Sequence, residues 1–226
     1  MVIHHLIEEI SHANPYNISL YLLMHNLYLY LCTAILCIIF QVTQFIVNRR
    51  KGRSNISIKK MILVHMFIFY LSLVYDVTSV YYVFWRIWET GVSNISLERI
   101  YLIPFTTVSM SNPMPYLLNI LMTIPLGFLL PVIWPDFRSL KKVTFAGFLF
   151  SLTIEITQLF TGFRLSCTDD LIANTLGAAI GYFMFKILFK IFSSLENKSS
   201  PALIKHEAAY YLMLSFIGAF IFYTVL

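Results

Sequence analysis

The stretches Asn119-Ile-Leu-Met-Thr-Ile-Pro125-Leu-Gly127-Phe, Glu155-Ile-Thr-Gln158-Leu and Asp169-Asp170-Leu-Ile-Ala-Asn174-Thr-Leu-Gly177-Ala-Ala-Ile-Gly181-Tyr decide how this chain is read. Each belongs to an apolar segment that carries a few polar or charged residues near one end. In a bilayer such groups are costly enough to need a partner or a task. The polar set is therefore expected to be the working part, and the rest of the chain to hold it in a membrane.

Composition sets the class. Of the 226 residues 58% are hydrophobic and 12% charged, against about 25% charged in a soluble domain. At about 20 apolar residues per crossing the length allows about six helices and no separate soluble domain. The expected fold is all-α, a polytopic transmembrane helical bundle. A net charge of +5 would suggest nucleic acid in a soluble protein. Here the basic residues report membrane topology instead, and no nucleic-acid partner is expected.

Outward from the central motifs, the chain divides at residues 1–16, 17–98, 99–192 and 193–226. In the first part Ile3, Leu6, Ile7 and Ile10 recur at helical spacing with Glu8 and Glu9 opposite, which predicts an interfacial helix ended by Pro15. The first residues lack a basic start and an apolar run, so no cleavable signal is expected. Apolar runs then cover Ile18 to Val47 and Met61 to Trp85. Asp76 falls within the second, about nine residues before its end, where helical rise puts it about 13 Å inside the membrane. Both a packed, hydrogen-bonded role and a site role are open to it. Between Arg86 and Tyr116 lie Pro104, Pro113 and Pro115, which rule out one continuous helix and predict a proline-rich outer loop. Further runs cover Leu117 to Trp134, Val143 to Phe160, Leu171 to Phe192 and Ala208 to Leu226.

Alternating the loops across six runs puts thirteen of the sixteen Lys and Arg on one side, leaving Arg86, Arg99 and Arg164 on the other. The excess marks the cytoplasm, so both termini are expected outside. On this topology Asn119, Glu155 with Gln158, and Asp169, Asp170 and Asn174 all come to the outer leaflet, on the side of Arg99 and Arg164. Ser151, Glu155 and Gln158 share a helix face, and Asp170, Asn174, Gly177 and Gly181 form a stripe on the next helix. The glycines permit a close helix contact that would join these polar faces. Asp169 and Asp170 also suit a helix N-terminus, where one can serve simply as a cap. Cys167 is expected in an outer loop, open to a membrane-impermeant thiol reagent. Cys32 and Cys37, five residues apart on one helix, are not expected to pair.

The combination Tyr101-Leu-Ile-Pro104-Phe105, Asn119-Ile-Leu with Ile124-Pro125-Leu-Gly127-Phe, Ser151 to Phe160, Arg164, and Asp169 to Gly177 with Gly181 resembles the VanZ-like family of bacterial membrane proteins. These motifs run from Arg99 to Leu188. The resemblance implies a multi-pass protein of the bacterial cytoplasmic membrane, and its founding member is linked to resistance to the glycopeptide antibiotic teicoplanin. It implies no established reaction. What it carries over is the importance of Asn119, Glu155, Gln158, Arg164, Asp169, Asp170 and Asn174, to which the outer Arg99 adds a candidate ligand-binding residue.

Three functions compete. The first is a non-enzymatic protein whose outer site binds or shields a cell-envelope component, such as a membrane lipid or a lipid-linked wall precursor. The second is an intramembrane enzyme with Glu155 and one aspartate as acid and base on a lipid-linked substrate. The third is a small transporter or lipid flippase, although below Asn174 and Ser151 the core helices are almost wholly apolar. All six histidines lie outside the matched motifs and no nucleophile motif is present, so no catalytic residue, metal site or cofactor is expected.

Overall fold

A computed structural model describes residues 15–52, 57–80, 82–83, 87, 99–104, 113–161, 164–191 and 206–225. The expected interfacial helix and most of the proline-rich loop lie outside the described residues. Among those described there are six helices: α1 Pro15–Arg50, α2 Ile58–Val77, α3 Met114–Ile133, α4 Leu140–Gln158, α5 Thr168–Ile191 and α6 Glu207–Val225. Two short strands, β1 Ile100–Tyr101 and β2 Ser166–Cys167, pair in parallel. The chain is an all-α membrane protein. Among the described residues four helices, α1, α2, α3 and α5, are long and apolar enough to cross a bilayer, against six apolar runs in the sequence. The difference at α4 has a plain cause: its 19 residues include Lys141, Lys142 and Glu155.

Prolines fall where helices start. Pro15 opens α1, and Pro115 lies in the first turn of α3, where a missing N–H costs nothing. Ser57 caps α2 by accepting the Lys60 N–H at 3.2 Å. Helix α3 runs on through Pro125 and Pro131.

Helix α2 stands at the centre. Its Phe67, Ile68, Leu71 and Tyr75 pack with Leu126, Leu130 and Trp134 of the α3 end, Phe150 and Ile154 of α4, and Tyr211 of α6. Phe67 meets the Trp134 ring edge-on at 5.4 Å, an arrangement that aromatic quadrupoles favour. The outer surface is as apolar as the core: Ile39, Leu121, Phe145 and Ile187 are each more than half exposed. Such a surface suits hydrocarbon and not water.

The tightest contact joins α3 and α5. A Cβ on Gly127 would fall on the Ala178 carbonyl, one on Gly177 on the Ile120 carbonyl, and one on Gly181 on the Ile124 carbonyl. The expected close approach is present, and Thr123 crosses it by donating to the Asn174 carbonyl at 2.8 Å.

Helix α2 ends earlier than its hydropathy implies. The apolar run continues to Trp85, but the helix stops at Val77. Thr78 Oγ1 turns back to the Val74 carbonyl at 2.7 Å, and Ser79 takes the left-handed conformation at φ 59°. Asp76 thus lies in the last turn, not deep in the span. There it accepts from Asn26 Nδ2 at 2.9 Å and pairs with His25 Nδ1 at 3.1 Å. Both partners come from α1.

Candidate functional site

The start of α1, the end of α2, the start of α3, the end of α4 and the start of α5 meet at one end of the bundle. There α4 and α5 present most of the polar set. Asn174, 2% exposed, donates from Nδ2 to Ser151 Oγ at 2.9 Å. One turn further along α4, Glu155 accepts the Cys167 backbone N–H on Oε2 at 2.8 Å. The Ser166 hydroxyl lies within hydrogen-bonding reach of the same carboxyl group. Strand β2 therefore lies directly over Glu155.

Strand β2 is placed by β1. Ile100 pairs with Ser166 and Tyr101 with Cys167, and Thr168 Oγ1 closes the junction by donating to the Leu102 carbonyl at 3.0 Å. Cys167 is thereby 8% exposed and lies in a strand. This corrects its expected place in an open loop: backbone pairing turns its side chain inward. The thiol and the Asn119 side chain both come within hydrogen-bonding reach of Asp170. Asp170 and Glu155 are near enough to feel each other's charge.

Asn119, Glu155, Asp170 and Asn174 are thus brought together, from three helices. Asp169 adjoins them in the first turn of α5 but is only 2% exposed, whereas Asn119 and Asp170 are half-buried. Negative charge in that turn is favoured by the helix dipole. Arg99 stands just before β1, half-buried.

Gln158 points elsewhere, and Arg164, whose charge Asp170 feels, makes its hydrogen bonds to the end of α2. Gln158 Nε2 reaches the Thr78 carbonyl at 3.4 Å, and Arg164 Nη2 donates to the Val77 carbonyl at 2.6 Å. They secure the free carbonyls at the end of α2, which a helix C-terminus leaves open. In the same region Asp76 holds His25 and Asn26. The polar end therefore has two parts, a carboxylate cluster over α3–α5 and a rim that ties α1, α2 and α4 together.

The sequence alone did not single out Thr123, Ser166 or Thr168. Thr123, four residues after Asn119, had a periodic signal. The other two act through strand pairing between distant loops, which no local pattern shows. Among the described residues no three His, Cys, Asp or Glu assemble as a metal site.

A family model described as VanZ/LLP1 matches residues 62–190, more than half of the chain. The match takes in nearly all of α2, ahead of the motifs that begin at Arg99. No curated protein and no solved structure matches the chain significantly.

Proposed function

The chain belongs to the VanZ/LLP1 family, and from that premise we propose that it acts at the outer leaflet of the bacterial cytoplasmic membrane, where its carboxylate cluster binds the polar part of a cell-envelope component. A lipid-linked wall precursor has suitable chemistry, with amide, hydroxyl and ammonium donors for carboxylates and acceptors for Asn119. Holding or screening it would lower the access of teicoplanin to its target. The observation that carries this reading is the convergence of Asn119, Glu155 and Asp170 from three helices beneath the β1–β2 clasp. Glu155 accepts from neutral donors, and a carboxylate held in this way is expensive in a membrane and retains acceptor capacity for a ligand. The charge bias of the loops supports the outward orientation.

The adjacency of Glu155 and Asp170 favours one second reading, acid–base chemistry on the same precursor. Tight packing at Gly127, Gly177 and Gly181 directly below the cluster speaks against a polar path along α3 and α5.

The test is teicoplanin susceptibility of cells expressing wild type, Glu155→Gln or Asp170→Asn at matched membrane levels. Wild type is expected to protect and both variants to lose protection. Equal protection by all three would make the carboxylates structural.

A further inference from the structure

A cleft of ≈ 850 Å³ opens between α4 and α6, with α2 behind it, and runs along α4 from Lys142, at the end away from the carboxylate cluster, to Ile154. Its size lies within the range of small-molecule sites, about 300–1,000 Å³. Phe145, Leu149, Leu212 and Met213 form its walls. Phe145 and Met213 are 62% and 56% exposed, so the cleft opens sideways to the bilayer. Its inner wall includes Tyr75 and Trp134, both nearly inaccessible.

Charged groups collect at one end only. Asp136, Lys142, His206 and Glu207 line the mouth. Glu207 is already matched by Lys60 at 2.6 Å. That leaves exposed Lys142 and His206 beside Asp136, with exposed Lys141 next in sequence.

We infer that this cleft is a binding site for one anionic phospholipid, its acyl chain between α4 and α6 and its phosphate at Lys142 and His206. The order of groups along the cleft, charged mouth and then hydrocarbon wall, matches the order along a phospholipid. Basic pockets between helices on the cytoplasmic side are suited to anionic headgroups. The inference concerns the end away from the carboxylate cluster and stands apart from the proposed function.

The test is native mass spectrometry of the full-length protein in detergent, titrated with phosphatidylglycerol or phosphatidylcholine. One phosphatidylglycerol per chain is expected to persist in preference to phosphatidylcholine. Lys142→Gln should weaken its retention about fivefold, the value of one interfacial cation. Ala146→Phe, which fills the cleft, should abolish it. Lys142 is exposed, so its variant does not depend on the core tolerating a change. Retention unchanged by Lys142→Gln and Ala146→Phe would overturn the inference, as would equal retention of the two lipids. A dimer that Ala146→Phe converts to monomer would also overturn it, by assigning the cleft to a second copy.

Discussion

Glu207 at one end of the bundle and Glu155 at the other are almost equally buried, 3% and 5% exposed, yet they are stabilised in different ways. Glu207 faces a full opposite charge, with Lys60 Nζ at 2.6 Å and itself 5% exposed. Glu155 faces neutral donors, the Cys167 N–H at 2.8 Å and the Ser166 hydroxyl. The ion pair is closed, since each partner answers the other. Glu155 under β2 is supported by neutral donors, with half-buried Asn119 and Asp170 beside it. Equal burial therefore hides two different kinds of support, a full opposite charge for Glu207 and neutral donors for Glu155.

The largest effect should come from breaking the closed end. Lys60→Met leaves Glu207 buried and uncompensated and should cost about 3–5 kcal/mol. Thermal unfolding in detergent would read this, and adding Glu207→Leu should recover most of the loss. A single variant as stable as wild type would show that the pair is not what holds α2 to α6.

A smaller loss is expected where the two regions are joined by close helix packing. Gly127→Val drives a side chain into the Ala178 backbone and should cost about 1–3 kcal/mol, as overpacking does. Because α3 and α5 carry Asn119 and Asp170, this variant should also lose teicoplanin protection.

Smaller still is the expected stability change in Glu155→Gln. The amide oxygen can still accept the Cys167 N–H, so the loss should stay below about 1 kcal/mol. A loss as large as that of Lys60→Met would make the two ends alike and remove the case for a site.

Cysteine labelling sharpens the comparison with no expected energetic effect. In a background without native cysteines, Leu165→Cys, 48% exposed in wild type, should react with an impermeant thiol reagent on intact cells. Lys141→Cys at the other end should react only after lysis. The reverse pattern would place the carboxylate cluster inside.

The membrane class, the central helices and the close α3–α5 contact were legible because hydropathy and small residues at helical spacing are local signals. Glu155 and Gln158 were assigned to one face on a spacing of three, which leaves them about 60° apart around a helix of 3.6 residues per turn. That angle is enough to send Glu155 toward β2 and Gln158 toward α2. The end of α2 was missed because Val80 and Val83 remain apolar and buried after the helix has stopped. Lys60 and Glu207 are 147 residues apart, and two-residue strands have no periodicity to read. Their pairing depends on tertiary structure alone.

The β1–β2 pairing also sets a schedule. Ile100 meets Ser166, so the roof over Glu155 cannot form while the chain between them is still being made. At ordinary synthesis rates of about 5–20 residues per second, that interval is about 3–13 s. Through it α3 enters the bilayer with Asn119 unroofed, and the carboxylate cluster is the product of a late step in biogenesis.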